Sequence, residues 1–149
     1  MAKFEQHTNI AAPVEAVWSI LSNPQQWPFW FPDVQAVTNL STVETGATFQ
    51  WQNGDHNGTG AIVRANPNER LEVLIEGGGH NTHHTLQVEH HGGVLGIGGH
   101  DSRLTYILEI HPPGGFIGEF IEGGNPMDIR KAQHVVAQVK ELAEGAAGH

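Results

Sequence analysis

The sequence predicts an α+β fold, in which a curved antiparallel sheet of about seven strands wraps around one long C-terminal helix. Three observations lead to this prediction. An opening strand is followed by two short helical segments, a series of alternating segments separated by turn residues comes next, and a helical period returns near the C-terminus. Such a sheet needs cover on one face, and a single long helix can cross it.

The opening strand and the two short helices are predicted near the N-terminus. Residues 4–10 alternate weakly, as in an edge strand, and Pro13 suits the first turn of a helix whose apolar stripe reaches Leu21. An Asn-Pro dipeptide at 23–24 ends that helix and starts a second, short one. Two prolines in the aromatic segment 27–32 exclude a long helix or a central strand there.

The middle of the chain is predicted to form successive antiparallel strands. The clearest alternation places Leu104, Tyr106 and Leu108 on one face, and His84 and Leu86 alternate in the same way. Short segments rich in Asn, Gly and Pro lie between several of the strands, as hairpins require. The predicted strands are residues 34–40, 48–52, 59–65, 71–76, 82–90 and 103–111.

The last element is a long helix. After the proline and glycine segment 112–115 a short helical period appears, and Asn125 and Pro126 are then typical of the N-cap and the first position of a helix. Its apolar stripe includes Val136, and Gly145 is expected to end it. The tail beyond is expected to fray.

Length and composition limit the classes of protein that fit. The 149 residues suit one domain, 1–149, with residues 145–149 as its frayed tail. Seven Lys and Arg against sixteen Asp and Glu give a net charge of −9, which disfavours nucleic acid and anionic membrane surfaces. The chain has no Cys, which excludes disulfides, thiolate metal sites and cysteine nucleophiles. With no secretory signal and no long apolar run, a cytoplasmic protein without membrane insertion is expected.

Five local phrases, taken in their order and spacing, resemble the Bet v 1-like (START/SRPBCC) superfamily. In particular the chain is similar to the bacterial polyketide cyclase/dehydrase and lipid-transport type, and the resemblance covers nearly the whole chain. The phrases are IAAPVEAVW at 10–18, NPQQW at 23–27, FPDV at 31–34, RLTY at 103–106 and PPGG at 112–115.

This resemblance implies a helix-grip fold with an elongated apolar cavity between the sheet and the long helix. It implies binding of a hydrophobic or aromatic small molecule, polyketide- or lipid-like, with no cofactor. If the protein is an enzyme, the implied chemistry is cofactor-independent cyclisation or dehydration. The superfamily also contains carriers and proteins that only bind, and it has no universal catalytic motif, so no catalytic residue is carried over.

His84 and Tyr106 are the sharpest candidates for the site. Each is a polar residue in an otherwise apolar alternating face, on strands expected to be neighbours. In a cavity they would orient a carbonyl or a phenol, and His84 would act as a general acid or base. In an enzyme His84 and Tyr106 would be the catalytic residues that move protons. The alternative is a satisfied core histidine beside a core tyrosine.

Other candidate lining residues come from the aromatic segment, the strands and the helices. Trp27 is expected to be structural, with Trp30 or Phe31 lining the cavity. Strand parity does not settle whether Arg64 points inward, where it would anchor a ligand acid. The remaining candidate ligand-binding residues are Trp51, Phe116, Phe120 and Val136.

Two other functions stay open. A cluster of histidines within 21 residues suggests a metal-dependent or pH-responsive binding protein, although His84 and His90 would be about 20 Å apart on one face, too far for one metal. No metal site is therefore assigned. The glycine-rich apolar segment 92–99 would serve as a lid or as a protein contact, including a homodimer contact. The clustered histidines are His80, His83, His84, His90, His91 and His100.

Overall fold

The computed structural model describes residues 2–31, 34–77, 80–91, 101–111 and 126–147. The strands in this part of the chain are β1 (Ala2–Ile10), β2 (Ala36–Thr38), β3 (Thr48–Asn53), β4 (His56–Asn66), β5 (Arg70–Gly77), β6 (His80–His91) and β7 (Asp101–His111). The helices are α1 (Val14–Leu21), α2 (Trp27–Trp30) and α3 (Pro126–Ala147), with a 3-10 turn at Pro24–Gln26.

The described strands form one antiparallel sheet in the order β1-β7-β6-β5-β4-β3-β2. Helix α3 packs against β1 and β7 of this sheet and against both α1 and α2. This arrangement is the predicted helix-grip fold, with a long C-terminal helix and two short helices after the first strand.

Local sequence explains how the short helices begin and end. The Asn23 side chain accepts a hydrogen bond from the Gln25 N–H at 3.0 Å, and Pro24 opens the 3-10 turn, as predicted. The aromatic segment then forms only one helical turn, α2. Its end is marked by the Phe31 N–H, which donates to the Trp27 carbonyl at 2.7 Å.

Two predicted boundaries are wrong. Strand β2 contains only Ala36–Thr38, because the next residue, Asn39, has a φ of 64°, which extended backbone does not allow. Helix α3 continues through Gly145 to Ala147, since the residues that follow this glycine are alanines, the strongest helix formers. The predicted N-cap Asn125 lies outside the described residues.

The core lies between the inner face of the sheet and α3, and alternation predicted this face correctly. Alternate residues of three adjacent strands are buried: Leu71, Val73 and Ile75 on β5, His84, Leu86 and Val88 on β6, and Leu104, Tyr106 and Leu108 on β7. The buried stripe of α3 consists of Ala132, Val135, Val136, Val139 and Ala143.

Polar contacts tie the end of α3 to the end of β1. Glu144 accepts a hydrogen bond from the Ala11 N–H at 2.8 Å and from Lys140 Nζ at 2.7 Å. Lys140 also donates to the Asn9 carbonyl oxygen at 2.8 Å. These hydrogen bonds lower the pKa of Glu144 below its usual range. None of the described helices is long and apolar enough to cross a membrane.

Candidate functional site

A hydrogen-bonded pair of polar side chains, His84 and Tyr106, lies in the apolar inner face of the sheet. The register places His84 opposite Leu108 and Tyr106 opposite Leu86, so the pair are diagonal neighbours on adjacent strands. His84 Nδ1 lies 2.7 Å from the Tyr106 hydroxyl, and the rings stack with centroids 5.9 Å apart. Both side chains are buried. The structure thus brings together the two residues that the sequence predicted as neighbours.

Thr82 completes this polar group from the same strand and the same face as His84. Its hydroxyl lies 2.8 Å from His84 Nε2. A neutral imidazole has one donor and one acceptor nitrogen, so the hydroxyls of Thr82 and Tyr106 take opposite roles toward the ring. Both ring nitrogens bond to hydroxyls, unlike the carboxylate-oriented histidine of a hydrolytic triad. Sequence reasoning missed Thr82, although its position two residues before His84 already places it on the inner face.

Burial keeps His84 in its neutral form. Loss of hydration lowers the pKa of the imidazole from 6.5 to about 3, and the positive charges of His83 and Lys131 act in the same direction. The ring is therefore uncharged near neutral pH. A group with this pKa can orient a hydrogen-bonding partner, but it accepts a proton poorly at neutral pH.

Aromatic rings from α2 and from the residue after it cover the polar pair. The Phe31 and His84 ring centroids are 4.7 Å apart. Trp27 and Trp30 pack behind Phe31, each with its centroid 5.1 Å from the Phe31 centroid, and Phe49 of β3 contacts Trp27 at 5.3 Å. Of the two aromatic residues expected at the site, Phe31 contacts the pair directly and Trp30 lies one ring behind.

The two tryptophans of α2 differ in how their indole N–H groups are satisfied. Trp27 donates to the Leu21 carbonyl oxygen at 2.8 Å, which fits the structural role expected of it. Trp30 is 1% exposed, and its Nε1 atom has no hydrogen-bond partner among the described residues. A buried donor in this state costs about 1–3 kcal/mol. Such groups are rare in folded proteins, so this one needs an explanation.

Trp51, a predicted ligand-binding residue, has a structural role at one end of the inner face. Its Nε1 donates to the carbonyl oxygens of Thr59 and Glu76, at 3.2 and 3.0 Å. Gly58, opposite Trp51 in the register, provides the space, because a Cβ there would overlap the Glu76 carbonyl oxygen and lie 2.9 Å from Trp51 Nε1. The Trp51 indole N–H thus donates its hydrogen bonds to the backbone of the sheet.

Arg64 lies on the outer face of the sheet. The register between β4 and β5 shifts between Ile62 and Arg64, which leaves both Val63 and Arg64 exposed. Arg64 Nε lies 3.7 Å from Glu72 Oε2, and the arginine side chain is 55% exposed. The sequence left the direction of Arg64 open, and this outward placement does not fit the candidate role of anchoring a ligand acid in the cavity. The bulge interrupts the alternation, so strand parity alone does not settle the direction at this position.

Glu72 is buried, although alternation places it on the outer face of the sheet. Arg70 Nε donates to its carboxylate at 2.5 Å, and His83 Nε2 lies 3.2 Å from the other carboxylate oxygen. His83 Nδ1 lies 3.4 Å from Glu109 Oε1. Sequence reasoning missed this outer-face cluster because its members come from neighbouring strands and are brought together only by the register.

The histidine-rich hairpin does not form a metal-binding group in the described part of the chain. No three His, Cys, Asp or Glu side chains converge there as metal ligands. His83 and His84 point to opposite faces, as alternation requires, and His90 is exposed near the end of β6. His100 and the side chain of His80 lie outside the described residues.

The remaining predicted residues divide between the core and the undescribed segments. Val136 is buried on the stripe that α3 turns toward the core. Phe116, Phe120 and the glycine-rich segment 92–99 lie outside the described residues, so the roles predicted for them stay predictions.

A separate open pocket of about 400 Å³ lies at the β2–β4 end of the sheet. Apart from the buried Trp51, its lining residues are mostly exposed, uncharged and polar. Gln50 and Gln52 alternate along β3 with the buried Phe49 and Trp51, so the pocket lies on the outer face. It therefore differs from the predicted apolar site in both position and chemistry. Its lining residues are Ala36, Thr38, Gln50, Trp51, Gln52, Asn57, Gly58 and Thr59.

Several solved structures share this fold at low sequence identity. A START superfamily protein from Mycobacterium smegmatis is 13% identical, with a TM-score of 0.65 over 98% of this chain and 97% of the other. Ara h 8.0201 is 13% identical, with a TM-score of 0.64 over 98% and 97%. DynU16, from the dynemicin biosynthetic locus, is 17% identical, with a TM-score of 0.68 over 97% of this chain and 48% of its own.

Comparison with protein families and curated proteins gives two further results. No curated protein matches this chain. The sequence profile of the family described as polyketide cyclase / dehydrase and lipid transport matches residues 1–141. The chain therefore belongs to this family, within the Bet v 1-like (START/SRPBCC) superfamily that its sequence phrases and its helix-grip fold both indicate.

Proposed function

We propose that the protein binds a hydrophobic or aromatic small molecule, polyketide- or lipid-like, between the inner face of the sheet and α3. The observation that carries the proposal is the buried hydrogen bond between His84 and Tyr106 in an otherwise apolar face. Family membership supports hydrophobic ligand binding in general. The occurrence of DynU16 in a biosynthetic locus favours a small-molecule ligand.

The chemistry of the pair favours positioning over proton transfer. The Thr82 and Tyr106 hydroxyls hold both nitrogens of the neutral His84 ring, and the Tyr106 hydroxyl, which can both donate and accept, suits an oxygen on an apolar molecule. A pKa of about 3 makes His84 a weak base at neutral pH. If the protein does catalyse cyclisation or dehydration, the main contribution of the site would be to hold the substrate in a reactive conformation away from water.

The test compares an aromatic probe with a fatty acid. Native mass spectrometry and calorimetry are performed with 1,8-dihydroxyanthraquinone and with dodecanoic acid. The Tyr106→Phe variant removes one hydroxyl and keeps the ring, whereas Val63→Ser changes an exposed residue of the outer face and is the matched control. We expect a one-to-one adduct with the anthraquinone.

The variants show whether the polar pair contacts the probe. Tyr106→Phe should weaken anthraquinone binding about fivefold, the value of one neutral hydrogen bond, and Val63→Ser should not change it. Binding of the fatty acid alone would mean that the ligand is lipid-like and not aromatic. If neither probe binds, the proposal is wrong.

A further inference from the structure

Trp30 has an indole N–H group that no described protein atom satisfies. Trp30 is 1% exposed, and its Nε1 atom has no partner in the described ranges. Trp27 and Trp51, the other buried tryptophans of these ranges, donate their N–H groups to backbone carbonyl oxygens. An interior N–H without an acceptor has lost its hydrogen bonds to water without replacement. The fold thus places a donor where the described part of the protein supplies no acceptor.

This donor belongs to the aromatic layer that covers the polar pair. The Trp30 and Phe31 centroids are 5.1 Å apart, and the Phe31 ring lies 4.7 Å from the His84 ring. Trp27 meets Trp30 edge to face, with centroids 6.3 Å apart. Ring faces are only weak hydrogen-bond acceptors. Phe31 therefore contacts both the ring that carries the unsatisfied donor and the ring of His84.

We propose that the Trp30 indole N–H recognises the ligand by donating a hydrogen bond to an acceptor oxygen on it. This inference rests on the proposed function and narrows its ligand class. An indole N–H donates and cannot accept, whereas the His84–Tyr106 pair does both, so only Trp30 fixes which polar group the ligand must present. The ligand class is an apolar, ring-containing molecule with a ketone, quinone or ester carbonyl near its ring system.

Two probes of nearly equal shape test this inference. 2-Acetylnaphthalene and 2-isopropenylnaphthalene share one ring system and differ by C=O against C=CH₂. Their dissociation constants are measured by NMR titration with the wild-type protein, Trp30→Phe and the matched control Trp18→Phe. We expect the wild type to bind the ketone about tenfold more tightly. In Trp30→Phe this preference should fall at least fivefold, and in Trp18→Phe it should persist.

A second measurement does not depend on a variant that folds. In the ¹H–¹⁵N spectrum of the wild-type protein, the Trp30 indole resonance should move downfield with the ketone and stay in place with the alkene. Equal binding of the two probes, or a ketone preference that survives in Trp30→Phe, would overturn this inference and leave the proposed function intact. Failure of both naphthalenes to bind to a protein that binds 1,8-dihydroxyanthraquinone would also overturn this inference alone. A protein that binds none of the four probes would overturn the proposed function itself.

Discussion

The neutral state of His84 makes the stability of this protein depend on pH in a predictable direction. The pKa of His84 is about 3 in the folded protein and 6.5 when the imidazole is solvated. Between these values the unfolded chain binds a proton that the folded protein does not. Stability from this residue is therefore complete above pH 6.5 and decreases as the pH falls toward 3. Replacement by Gln, which keeps hydrogen-bonding groups but does not titrate, should remove this dependence.

The size of the effect follows from the two pKa values. Between pH 7.5 and pH 5.0, protonation of this one imidazole stabilises the unfolded state by about 2 kcal/mol, while it stabilises the folded state by almost nothing. The ten other histidines, eleven in the chain minus this one, remain in both proteins. Their contribution cancels when the pH dependence of His84→Gln is subtracted from that of the wild type.

The assay is urea unfolding of both proteins at pH 7.5, 6.5, 5.5 and 5.0, followed by tryptophan fluorescence. The wild type should lose about 2 kcal/mol more unfolding free energy than His84→Gln across this range. The absolute stability of the variant at pH 7.5 does not enter, because only the slopes are compared. Parallel curves would refute the reasoning, since they would mean that His84 protonates as easily in the folded protein as in the unfolded chain.

Other predictions concern the packing around the site and the link between α3 and β1. Gly60→Ala places a Cβ against the Phe49 ring and should lower the free energy of unfolding, measured in urea, by about 1–3 kcal/mol. An unchanged urea midpoint would show that the Phe49 ring moves aside freely. Trp27→Phe leaves the buried Leu21 carbonyl without its donor, whereas Trp30→Phe breaks no indole hydrogen bond to the described residues. Trp27→Phe should therefore lower the free energy of unfolding by at least 1 kcal/mol more than Trp30→Phe. Equal losses in the two variants would contradict this prediction. Glu144→Ala should speed hydrogen exchange at the Ala11 amide several-fold at neutral pH, and unchanged protection would mean that other contacts hold this amide.

Alternation predicted the part of the site that lies on the sheet. Residues two apart on a strand share a face, so the sequence alone is enough to place His84 and Tyr106 among apolar neighbours. The same rule does not settle Arg64, because it assumes an unbroken register and the bulge after Ile62 adds a residue to one strand. It also failed to show that Glu72 is buried, since this burial depends on side chains from neighbouring strands.

The part of the site above the sheet could not be predicted from local pattern. Phe31 contacts His84, 53 positions away in sequence (84 minus 31), because the fold packs α2 and the residue after it against the inner face of the sheet. The hydrogen bond between Ala11 and Glu144 spans 133 residues. No periodicity relates such positions. The resemblance to a known family supplied the overall arrangement, but not the ring that contacts the polar pair.

Two polar features of the interior differ in what they imply about a ligand. The His84–Tyr106 pair places polar atoms in an apolar face, but a hydroxyl both donates and accepts, so the pair does not state which group a ligand must present. The Trp30 N–H has no partner in the part of the chain that the structure describes, so the described fold does not account for it. A phenylalanine there would keep an aromatic ring and remove the unsatisfied donor. The unsatisfied indole therefore adds what the pair leaves open, because it states which group the ligand must present.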